Sequence, residues 1–151
     1  MSGLTHWLLV ERVENWRIDE QEGFRRFGLP DQKKRLADEI KKGDILIIYI
    51  SSGLSMISDI REATVDGTTR LGRSGNYDTP YSVSISTKPL LTLPRKKWVR
   101  FNELIDKLSF TLGKKNWSQI MRNCLRRLSK EDADIIINAI NQSHQNEPNK
   151  S

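Results

Sequence analysis

The sequence is short of the residues from which catalytic and metal sites are usually built. Its 151 residues include one cysteine, Cys124, so an internal disulfide is excluded and a reducing compartment is the simpler setting. Of its two histidines, His144 falls in a polar C-terminal stretch, leaving His6 alone in the predicted fold. One histidine and one cysteine supply no zinc site by themselves, and no carboxylate cluster stands at ligand spacing beside them. Cys124 sits at an apolar helical position, where a thiol acts as a small buried hydrophobe rather than a nucleophile. Long hydrophobic runs are missing as well: the longest, Ile45 to Ile50, is too short to span a bilayer. The start, Met1-Ser2-Gly3-Leu4-Thr5-His6, has no basic segment leading into an apolar one, so no secretory signal is expected. No Gly/Ser- or Pro-rich linker and no internal repeat divides the chain. These absences predict one soluble, cytoplasmic domain over residues 1–141, a disordered polar tail over 142–151, no metal, no cofactor and no enzymatic activity.

What is present is positive charge, unevenly spread. Net charge is +6. Residues 1–94 carry 13 basic and 13 acidic side chains, whereas residues 95–130 carry 11 basic ones against Glu103 and Asp106. A concentrated excess of this kind is how a phosphate-binding surface reads in a sequence, although a solvated basic face without a partner reads the same way. The candidate phosphate contacts are Arg95, Lys96, Lys97, Arg100, Lys114, Lys115, Arg122, Arg126 and Arg127.

Periodicity predicts an α+β domain. Trp7 to Val10 reads as a buried strand, and Ile45 to Ile50 as a central strand covered on both faces. Met56 to Val65 reads as a third strand, Tyr81 to Ser86 alternates with a period of two, and Lys97 to Phe101 is a fifth candidate. Pro30 opens a predicted helix to about Lys41, with Leu36, Ala37 and Ile40 inward. Ser118 caps another, reaching Leu128, with Arg122, Asn123, Arg126 and Arg127 on its polar side. Ser129-Lys130-Glu131-Asp132 resembles a capping box opening a last helix. Gly67 to Ser74 approaches phosphate-loop spacing, but Arg73 replaces the lysine and no helix-forming run follows, so it reads as a structural loop.

Aromatic residues carry the remaining signal. Trp7 and Trp98 fall in predicted strands and read as core. Trp16 and Trp117 fall in predicted loops beside polar groups, where a large ring either anchors the loop or stacks on a flat base.

Several stretches, in this order, resemble an EVE domain: Thr5-His6-Trp7-Leu8-Leu9, Glu14-Asn15-Trp16, Phe27-Gly28-Leu29-Pro30, Lys42-Gly43-Asp44 followed by Ile45 to Tyr49, and Asn116-Trp117-Ser118. The resemblance covers roughly residues 5–140. It implies a PUA-like pseudo-barrel of about five to six strands with peripheral helices, related to YTH domains, which read a methylated base in an aromatic cage. It further implies a nucleic-acid partner, DNA or RNA, whose modified base sits in a pocket bordered by Asn15, Trp16, Phe27, Gly28, Tyr49, Ile50, Ser51, Asn116, Trp117 and Ser118. Many such proteins accompany restriction or other defence systems. The chain departs from the pattern with Phe27 in place of a tryptophan and Ser58 in place of a glycine. Gln119-Ile120-Met121-Arg122 also stands where a His-aromatic-aromatic run is usual. The rival readings are a domain for a small planar ligand or nucleotide, an accessory subunit of a defence system, and a nucleic-acid-modifying enzyme.

Overall fold

A computed structural model describes residues 4–51, 53–70, 81–121 and 125–146, with the backbone alone at 81 and 82. Its centre is β3 (Ile45–Ile50), in which every side chain after Ile45 is buried. Stiff β-branched side chains on both faces suit a strand covered from both sides. Along one edge β3 pairs in parallel with β1 (His6–Glu11), and along the other it pairs antiparallel with β4 (Met56–Ala63). β4 continues to β6 (Tyr81–Thr92) and β6 to β2 (Arg26–Pro30), while β8 (Leu125–Leu128) lies on the far side of β1. The order β2-β6-β4-β3-β1-β8 makes a curled, half-barrel sheet. Two short strands join it, β5 (Thr69–Arg70) on β6 and β7 (Val99–Arg100) on β4. The curl depends on β6, whose first half to Ser86 pairs with β2 and whose second half pairs with β4. Pro89 lies opposite Arg61 beside an irregular register, a place where a missing N–H is tolerated.

Two helices cover the sheet. α1 (Val13–Gln21) follows β1 and buries Asn15, Trp16 and Asp19. α4 (Lys130–Gln145) buries Ala133, Ile136 and Ile140, and starts as the capping sequence predicts, with Ser129 Oγ accepting from the Asp132 N–H at 3.1 Å. A single turn, α2 (Lys34–Ala37), precedes β3.

Several local expectations give way to tertiary structure. The segment holding Asn15 and Trp16 is helix α1, not a loop. The helix expected from Pro30 is a strand ending at Pro30, a 3-10 turn over Asp31–Lys33 and the short α2. Ala37 and Ile40 are buried there, but Leu36 is exposed. The fifth strand is cut to Val99–Arg100, between 3-10 turns at Arg95–Lys97 and Phe101–Glu103. The helix expected from Ser118 to Leu128 divides into α3 (Trp117–Met121) and strand β8. β1 would otherwise present unpaired N–H and C=O groups along its outer edge, and four residues of β8 satisfy them, outweighing helical periodicity. Asn116 rather than Ser118 opens α3, its carbonyl accepting from Gln119 and Ile120. Where a disordered tail is expected from residue 142, α4 continues through residues 142–145 and includes His144; residues 147–151 lie outside the described residues. Cys124 and the end of the loop from Gly67 lie outside the described residues; up to Arg70 that loop runs into strand β5, not a helix.

Candidate nucleic-acid interface

The ten residues expected around a base fall into two aromatic groups. The first is internal. Trp16 is 7% exposed, meets Trp98 edge-on at 5.0 Å and Phe24 at 5.5 Å, and donates from Nε1 to Asp59 Oδ1 at 2.9 Å. Phe27 is fully buried and Gly28 is enclosed beside it in β2. Behind these rings stands a buried ion cluster that no motif or spacing in the sequence announces. Arg61, fully buried, reaches Asp59 Oδ2 at 2.6 Å, Asp19 Oδ2 at 2.9 Å and Glu11 Oε2 at 3.3 Å. Its guanidinium carbon lies 4.8 Å from the Phe24 ring centre and 5.8 Å from that of Phe27.

One cation faces three carboxylates, and the imbalance falls on Glu11. Burial pushes its carboxyl well above the ordinary range, the charge of Asp19 adds to this, and Arg61 opposes it. For Arg61 burial works against the charge, but Asp59, Glu11 and Asp19 outweigh it and keep the guanidinium protonated. The cluster ties β1, α1 and β4 together and holds Trp16 through Asp59. Trp16 therefore has the surroundings of a core anchor.

The second group is at the surface. Tyr49, at the end of β3, meets Phe101 perpendicular at 5.1 Å, and Phe101 meets Trp117 at 5.7 Å. Trp117 is half-buried and forms one wall of a hollow of about 420 Å³ with Met56, Arg100, Asn102 and the turn over residues 53–55. That turn is shaped by Gly53 at φ 78° and by Ser55 at φ 53°, unusual for a residue with a side chain. It is clamped on both sides: the Leu54 N–H donates to the Ser51 carbonyl, and the Ser55 carbonyl accepts from the Phe101 N–H. Ser51 in turn donates from its N–H and its hydroxyl to the Glu11 carbonyl. Ile50 is core, whereas Asn116 and Ser118 are exposed beside Trp117. Tyr49, Ser51, Asn116, Trp117 and Ser118 thus share one end of the sheet. Asn15, Trp16, Phe27 and Gly28 belong to the interior on the other side of Glu11. Phe101, which joins Tyr49 to Trp117, was missed because nothing in its sequence neighbourhood sets it apart from core.

The basic segment is likewise divided. Arg95, Lys96, Arg100, Lys114 and Lys115 are exposed. Lys97 donates to the His144 carbonyl. Helical spacing puts Arg126 and Arg127 on one side, but β8 sends them to opposite faces of the sheet. Arg126 lies over Phe110 at 4.5 Å, and Arg127 over Trp7 at 4.8 Å while pairing with Glu39 at 2.6 Å. Arg122 lies outside the described residues. Among the described residues no group of His, Cys, Asp and Glu is arranged to hold a metal ion, and no helix is long and apolar enough to cross a membrane.

Solved structures share this architecture. A hypothetical protein from Leishmania major superposes with a TM-score of 0.68 at 12% identity, covering 95% of this chain and 98% of the other. The YTH domain of a Zygosaccharomyces rouxii protein, in complex with N6-methyladenosine RNA, superposes with a TM-score of 0.67 at 8% identity, covering 92% and 88%. The fold is therefore PUA-like and shared with YTH domains. In sequence, a UPF0310 protein of Pyrococcus abyssi is 24% identical over 145 residues, 88% of this chain and 97% of the relative. The EVE domain family model matches residues 5–139, nearly the whole described fold, and the chain belongs to the EVE domain family.

Proposed function

We propose that this protein is a non-enzymatic, cytoplasmic nucleic-acid-binding module that takes one modified, methylated base from DNA or RNA against Trp117. The observation that carries this reading is the half-buried Trp117 ring, held by Phe101 at the wall of a hollow that also bears Arg100. A ring fixed from behind and open in front is suited to stacking on a base, worth about 1–3 kcal/mol. Arg100 beside it offers a phosphate a charge, Asn102 on the same wall offers an amide to a base edge, and Asn116 stands exposed next to Trp117 in the chain. The N6-methyladenosine RNA bound by the Zygosaccharomyces rouxii domain, on a similar fold, supports a methylated base as the occupant.

Trp117→Ala tests this. The variant is expected to melt close to the parent, because the ring is only partly enclosed, and to lose about 1–3 kcal/mol of affinity for a single strand bearing the recognised base. A folded variant that binds as the parent does removes Trp117 from the site. A mononucleotide that binds as tightly as a strand would favour the small-ligand reading.

A further inference from the structure

A second hollow, of about 460 Å³, lies against α1 and is lined by Trp16, Arg17, Glu20, Thr92, Arg95 and Trp98 among others. Arg95 stacks its guanidinium 4.5 Å from the Trp98 ring centre. Trp98 is fixed beneath by Trp16 edge-on and by its own Nε1–H, which donates to the Leu93 carbonyl at 3.1 Å. Arg95 is exposed and has no acidic partner among the described residues, and the same holds for Arg17. The result is a planar cation backed by an aromatic ring and facing outward, which a nucleobase can cover as it covers an aromatic side chain. A smaller hollow of about 290 Å³ shares Trp98 with this site and Arg100 with the Trp117 site, and Glu103 and Lys107 lie on its wall. Residues 98–100 therefore border all three hollows in succession.

We infer that the Arg95–Trp98 hollow is a second base site, so that one single strand is held at two bases with its backbone crossing Arg100 and Lys107. This rests on the nucleic-acid reading above and extends it from one nucleotide to a short strand. The second base stacks on the outer face of the Arg95 guanidinium, Arg17 faces a phosphate, and the Glu20 carboxylate accepts from an exocyclic amino group. Glu20 disfavours a phosphate in its own corner, which orients the nucleotide with its base inward.

The test holds charge constant. Two single strands of about six nucleotides are compared, one with every base and one abasic except at the recognised base, so that both carry the same phosphates. The parent is expected to bind the complete strand roughly 5- to 150-fold more tightly, the range of one stacked base. Arg95→Lys keeps the charge but not the plane, and is expected to collapse that ratio, as is Arg95→Ala. Arg95 is exposed, so the melting temperatures of both variants are expected to stay near that of the parent. A parent that binds the two strands equally, or an Arg95→Lys variant that keeps the ratio, overturns the second site while leaving the Trp117 site standing. A loss in Trp117→Ala alongside an unchanged ratio in Arg95→Lys has the same meaning. No binding of either strand by the parent overturns both.

Discussion

Glu11 shows how one residue joins the interior to the surface. Its carbonyl accepts from Ser51 at the edge of the Trp117 hollow, and its carboxyl belongs to the buried cluster around Arg61. The raised carboxyl means that the folded chain binds its proton more tightly than the unfolded chain, whose glutamate titrates near pH 4.3. Stability from this group is complete below that value and is lost as pH rises through the folded one. Asp38 behaves in the opposite sense. Hydrogen bonds from Lys34 and Thr68 hold its carboxyl down to about 2, so its contribution is lost only on acidification below about pH 4. The two windows are separate. Glu11→Gln removes the titration, so as pH rises above the ordinary glutamate range its melting temperature is expected to fall less than that of the parent. Parallel curves for the two proteins would show that Glu11 does not hold its proton in the fold.

At the scale of elements, α1 depends on a polar interface. Its inner face is Asn15, Trp16 and Asp19, and the last two are tied to β4 through Asp59 and Arg61. That is why α1 escaped a reading based on apolar periodicity, while β3 and β6, with continuous or alternating apolar patterns, were legible. β8 was misread for a related reason. Leu125 and Leu128 stand at helical spacing, and only the open edge of β1, a feature of the assembled sheet, makes a strand of them. The Trp16 ring supports α1 from within, so Trp16→Ala is expected to cost about 3–5 kcal/mol of folding stability in chemical denaturation. A folded variant of near-parental stability, with binding of the modified base selectively lost, would instead make Trp16 a cage wall.

Over the whole molecule, the charge surplus counted along residues 95–130 does not form one face. The 95–107 segment borders the hollows with Arg95, Arg100 and Lys107, whereas β8 turns Arg126 and Arg127 away from each other and Arg127 is engaged by Glu39. The aromatic residues of the candidate site were partly legible for a similar reason. Trp117 was visible as a tryptophan among polar neighbours, but its support by Phe101 and Tyr49 requires elements far apart in sequence to meet. On the proposed function, phosphate contacts would set how tightly any strand is held, and the hollow at Trp117 would set which base is preferred. The most direct measurement is therefore the dissociation constant of the full-length protein for single-stranded DNA and RNA oligonucleotides taken in pairs that differ by one methylated base, at two salt concentrations. At least one pair is expected to differ by about fivefold or more, the low end of one stacking contact, with salt weakening both members by the same factor. Equal constants within every pair, or affinities indifferent to salt, would contradict a modified-base reader with a phosphate-binding surface.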